Sequence, residues 1–172
     1  SAKDWESLYF LAHQAKDKAW KRYSAYYRST SGQKYWSDEA QMSLYLEDYH
    51  TRLDARLGST VPGSEMITEL YVQINELPSF MDRAAKFLRR EKANVIYGTV
   101  RLIKKDDESF LAWAKDRYAC IIFNLHVDHD SAGIENAKKA FRGLIDIALE
   151  LNGSYYLTYH RWARKDQVLA AY

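Results

Sequence analysis

The chain has 172 residues, 47% of them hydrophobic, enough for one sizeable core with a helical appendage. Its 25 basic and 23 acidic residues give a formal charge of +2 with both signs interspersed. That balance excludes affinity built on neutralising phosphates, so no nucleic-acid partner is expected.

The single cysteine, Cys120, excludes an intrachain disulfide and a cysteine-based zinc site. It lies in the apolar run Tyr118–Phe123 and reads as a small core residue. No stretch approaches the ~20 apolar residues of a membrane span. Lys3, Asp4 and Glu6 interrupt any signal-peptide start, so a cytoplasmic protein without a membrane partner is expected. Aromatic residues make up 15% of the chain, including 14 Tyr, which fits either a large amphipathic core or a Tyr-lined pocket.

In chain order, residues 3–29 carry Trp5, Leu8, Ala12, Ala19, Tyr23 and Tyr27 at helical spacing, which predicts one amphipathic helix. A second runs from Asp38 to Leu57 and ends in the loop-like segment 58–63. Residues 65–72 read as a strand, and Pro78 opens a helix that continues to Glu91. Residues 94–103 and 118–127 read as further strands. Asp130 or Ser131 caps a helix ended by Asn152-Gly153, with Gly153 as its left-handed terminator. Residues 154–162 read as a fourth strand, and Lys165 begins a last helix that the chain end cuts short.

The order from residue 64 is therefore β-α-β-β-α-β. It predicts an α+β, ferredoxin-like domain at 64–172: an antiparallel sheet with both helices on one face. An N-terminal helical segment at 1–63 precedes it. Period-two sorting of the strands gathers Glu69, Tyr71, Thr99, Arg101, Asn124, His126, Tyr156 and His160 on the uncovered face. An ordinary half-solvated sheet side fits that pattern, as does a pocket lining. The titratable and aromatic mixture points to the pocket. Arg101 beside His126 predicts a neutral imidazole able to accept a proton. His126 and His129 meet no standard metal-ligand spacing, so no metal is expected. No phosphate-cradling glycine motif and no nucleophile elbow is present.

Four segments in order, residues 63–72, 95–103, 118–127 and 153–162, resemble the C-terminal half of bacterial FAD-linked oxidases of the vanillyl-alcohol oxidase and p-cresol methylhydroxylase type. The resemblance runs from about residue 35 to the end. It implies the substrate-binding cap domain of an FAD-dependent oxidoreductase (a flavoprotein). Its cofactor FAD is bound mainly by a separate N-terminal domain outside this sequence, and the family normally continues beyond the last helix. It further implies hydride transfer from an alcohol- or hydroxy-acid-type small-molecule substrate to the flavin. Arg101 would bind substrate and His126 would accept the proton. Glu69, Tyr71, Thr99, Asn124, Tyr156 and His160 would line the pocket. Sugar-alcohol oxidases of the family keep an acid two residues before the matching arginine; Thr99 stands there instead, which removes a contact a polyol would use. The fragment is expected to be inactive alone and to self-associate through its open sheet face. The alternative is a stand-alone ferredoxin-like ligand-binding or oligomerisation module.

Overall fold

The computed structural model describes residues 2–34, 47–108, 110, 114 and 116–172. The chain divides into two compact units, Ser1–Gly63 and Ser64–Tyr172.

The first unit contains α1 (Ala2–Gln14), α2 (Lys16–Ser29) and α3 (Tyr49–Leu57). The helix predicted over 3–29 is interrupted at Ala15, whose φ of −150° and ψ of 72° are not helical. The break lets the aromatic stripe pack on itself. Trp5 on α1 meets Tyr23 and Tyr26 on α2 edge-on, with ring centroids 5.9 and 6.0 Å apart, and Arg22 reaches back to Asp4 at 3.3 Å. A straight helix cannot bury its own apolar stripe, whereas a doubled one can. Leu53 of α3 is buried, and the Arg56 guanidinium sits 3.7 Å from the centre of the Phe10 ring. Residues 38–46 of the second predicted helix lie outside the described residues.

The second unit is mixed α+β. β1 (Gly63–Gln73) leads through a short 3₁₀ turn into α4 (Leu77–Arg90), and β2 (Val95–Ile103) and β3 (Tyr118–Asp128) follow. Then come α5 (Ser131–Glu150), β4 (Ser154–Tyr155) and α6 (Lys165–Ala171). Pro78 occupies the first turn of α4, where its missing N–H costs nothing. The Asp130 carboxylate caps α5 by accepting from the Gly133 N–H at 2.7 Å. The four strands form one antiparallel sheet in the order β2-β3-β1-β4.

One sheet face carries the main core. Leu70 and Val72 of β1 and Ala119, Ile121, Phe123, Leu125 and Val127 of β3 pack there with Phe80, Ala84 and Leu88 of α4. Ala137, Phe141, Leu144, Ile145 and Ala148 of α5 complete it. The opposite residues of β1 and β3 form a second cluster, Tyr71, Cys120 and Ile122, with Ile67, Ile103 and Tyr118 around it. Both long helices of this unit thus cover the same face.

Three local features depart from the strand and helix patterns. Val95 pairs with Leu125 and Tyr97 with Asn124, so Ile96 is an extra residue, a β-bulge. Strict alternation puts Val95 with Tyr97; the bulge instead turns Val95 to the helix side, where it packs on the main core. The fourth strand is two residues long rather than nine. Beyond it the chain turns so that Trp162 packs on Phe141 of α5, with centroids 5.3 Å apart, and the Trp162 carbonyl accepts from Arg142 Nε at 2.6 Å. Burying a large aromatic outweighs continuing an edge strand. At the end of α5 it is Asn152, not Gly153, that is left-handed, with φ 54°. Gly153 is required by space, since a Cβ there would run into the Tyr71 carbonyl oxygen. No helix among the described residues is long and apolar enough to cross a membrane.

Candidate functional site

The face of the sheet turned away from α4 and α5 is built by period two. β3 directs Cys120, Ile122, Asn124 and His126 there, and register places Arg101, Thr99 and Tyr97 of β2 opposite Cys120, Ile122 and Asn124. From β1 come Glu69 and Tyr71. Tyr156 follows β4 and donates its backbone N–H to the Glu69 carbonyl at 2.9 Å.

At one end of this face the Glu69 carboxylate is a hub. Its Oε1 accepts from the Tyr71 hydroxyl and from Cys120 Sγ, the latter at 3.2 Å. Its Oε2 accepts from Tyr159 Oη at 3.3 Å. The Tyr159 ring in turn meets Tyr156 edge-on, with centroids 5.5 Å apart. Tyr71 and Cys120 are buried, while Tyr156 and Tyr159 are exposed. Burial, reinforced by the neighbouring Glu69 carboxylate, raises the Tyr71 phenol above its ordinary range and pushes the Cys120 thiol up to about 12. The same causes raise the Tyr159 phenol. Register places Arg101 opposite Cys120, at this end of the face, where its positive charge acts against the Cys120 and Tyr159 shifts.

At the other end, His126 Nδ1 lies 3.2 Å from Glu65 Oε1, and its Nε2 lies 3.4 Å from Asp128 Oδ1. The expected pairing of Arg101 with His126 is not formed. Arg101 sits opposite Cys120, six positions along β3 from His126, which amounts to about 20 Å of strand. The histidine stands between two carboxylates. Asn124, between the two ends, is 7% exposed, and its Oδ1 has no hydrogen-bond partner among the described residues.

His160 is not on this face. It is buried against Phe141 of α5, with ring centroids 4.3 Å apart, and stacks on Trp162. That places it on the helix side, because the predicted alternation of 154–162 ends where β4 ends. Burial lowers its imidazole to about 4, so it is neutral near pH 7. The structure therefore unites Glu69, Tyr71, Arg101 and Tyr156, sets Thr99 and Asn124 further along, and separates His126 and His160.

Cys120 and Tyr159 join the cluster without having been singled out for it. Alternation already sorted Cys120 onto this face, but its apolar neighbours favoured a core reading. Tyr159 needed the turn after Tyr155, which no local signal gives. Comparison with protein-family models, with curated proteins and with solved structures yields no match.

Cradling the phosphates of FAD needs backbone that a ligand can approach closely, usually at glycine. Gly133, Gly143 and Gly153 have protein atoms where a Cβ would stand, and Gly98 has the Ile122 carbonyl oxygen 3.3 Å from that position. At residues 133, 143 and 153 the sheet unit therefore offers a ligand no close backbone approach. What it offers is a polar, aromatic face.

Proposed function

We propose that this chain supplies the substrate-facing sheet of an FAD-dependent oxidoreductase, acting beside a flavin-binding domain of other sequence. The observation that carries the reading is the cluster of Glu69, Tyr71, Tyr156 and Tyr159 gathered with Arg101 at one end of a single sheet face. Two further points support it. The four segments that resemble FAD-linked oxidases supply the four strands of one sheet, and the strand order β4-β1-β3-β2 fits a ferredoxin-like topology.

The substrate class is a small 2-hydroxy acid. Arg101 offers the positive charge that a carboxylate needs. The hydroxyl of the exposed Tyr159, already donating to Glu69, is the group through which a substrate hydroxyl proton reaches the Glu69 carboxylate. FAD, when bound, supplies the hydride acceptor. Tyr71 and Cys120 hold Glu69 in place from below and stay protonated near pH 7. His126 lies too far along the strand to serve the same small molecule as Arg101.

The test is a titration of the 172-residue protein with glycolate, lactate and mandelate, followed through the tyrosine-ring NMR signals. Tyr156 and Tyr159 should shift with millimolar affinity, and Arg101→Ala should abolish the response. Absence of any shift, or an undiminished response in Arg101→Ala, rejects the assignment. Added FAD should not remain bound through gel filtration; stoichiometric retention would overturn the division of labour between the two domains.

A further inference from the structure

We propose that His160 is a positioning residue: buried on the helix side of the sheet, it holds Tyr159 on Glu69 across the sheet edge, and its protonation releases both. The chain crosses from one side to the other between these two consecutive residues. Tyr159 Oη donates to Glu69 Oε2 at 3.3 Å, and its ring meets Tyr156 edge-on. One residue later the His160 ring packs against Phe141 of α5, with centroids 4.3 Å apart, and stacks on Trp162. Consecutive Cα atoms lie about 3.8 Å apart, so the two side chains cannot move independently. β4 ends at Tyr155, which leaves side chains to hold the stretch beyond it.

The contacts of His160 make its charge state decisive. Its Nδ1 accepts from the Trp162 N–H at 3.4 Å, so the neutral ring carries its proton on Nε2. That Nε2 has no hydrogen-bond partner among the described residues, and the residue is 8% exposed. A second proton lands on Nδ1, turns an acceptor into a donor facing another donor, and leaves a buried charge with no acceptor at either nitrogen. The carboxylates on the elements around it are engaged elsewhere. Asp146 of α5 accepts from Arg164 and Gln167, Glu150 of α5 pairs with Arg83, and Asp166 of α6 pairs with Arg164. The cations of the same elements, Arg142, Arg161 and Arg164, oppose a charged imidazole. The imidazolium is therefore stable only in water. Burial accordingly lowers the ring from 6.5 to about 4. By linkage, the ratio of released to held His160 rises about twentyfold from pH 7 to pH 5. Tyr159 follows its neighbour and leaves Glu69. That this departure shuts a substrate's proton route in acid rests on the reading above; the coupling of the two residues does not.

The test is a ligand-free pH titration of the 172-residue protein from pH 7 to pH 5. It is read through the NMR signals of the Tyr159 ring, the Trp162 amide and the His160 ring. All three should shift on one curve while the Phe80 ring of the main core stays in place. His160→Phe keeps an aromatic ring beside Phe141 and Trp162 and should hold the Tyr159 signals constant over this range. Glu69→Gln removes the titratable carboxylate and should leave the Trp162 and His160 curves as in the parent. A Tyr159 shift that survives in His160→Phe overturns the proposal. So does a parent in which Tyr159 and His160 move separately, or in which Phe80 moves with them, and neither observation needs a variant to fold. No substrate enters the measurement, so a flavoprotein reading that fails in the glycolate titration leaves this result standing.

Discussion

The ring of Phe87 on α4 lies over Gly143 on α5, filling the space in which a side chain at residue 143 would have to stand. This contact sets how closely the two helices approach above the sheet. Gly143→Ala forces the ring or the helix to move, and overpacking of this kind costs about 1–3 kcal/mol. Urea denaturation should show that loss, and Phe87→Leu in the same chain should recover part of it. Additive losses in the double variant would show that the two residues are not coupled.

Glu69 accepts from donors on three different segments of the chain, so its removal should be felt in stability as well as in binding. Glu69→Ala withdraws the acceptor from the buried Tyr71 hydroxyl and Cys120 thiol. Losing a partner for a buried donor costs about 1–3 kcal/mol. Glu69→Gln keeps a carbonyl oxygen in place and should cost less. Equal midpoints for the two variants in urea would contradict the hub.

Cys120 is expected to be inert in the folded protein. Its thiol is 1% exposed and pushed up to about 12, so almost no thiolate exists at pH 8. A disulfide-exchange reagent should react at the rate of unfolding, and fully within seconds in denaturant. Fast labelling of the native state would place the thiol elsewhere.

His160 predicts a defined pH dependence. Burial lowers its folded-state value from 6.5 to about 4. The unfolded chain therefore takes up the proton first as pH falls. Stability from this group is complete above about pH 6.5, declines between there and about pH 4, and is gone below. The full span is on the order of 3 kcal/mol. His160→Phe should flatten that part of the stability curve. An unchanged slope in the variant would assign the acid sensitivity to other groups.

The sequence showed where this fold buries itself more clearly than where it reacts. Apolar periodicity marked the two long helices of the sheet unit, and alternation sorted β1 and β3 correctly because both faces of those strands are packed. Alternation failed at Val95, where one inserted residue reverses the phase, and after Tyr155, where a β-like composition turns to bury Trp162. Neither event leaves a periodic trace. The stripe over residues 3–29 was real, but periodicity is blind to a single non-helical residue such as Ala15. The cluster was legible in its members on β1 and β2. The distance between Arg101 and His126 was not, because period two assigns a face and says nothing of position along it.

The brevity of β4 limits what the sheet can build. Its two borders are unequal: nine residues of β2 on one side and two residues of β4 on the other. Head-to-tail stacking needs the long border of one molecule to match the short border of the next, and two residues cannot hold it. A ribbon of such sheets joined long border to short border would rest on a two-residue strand at every junction.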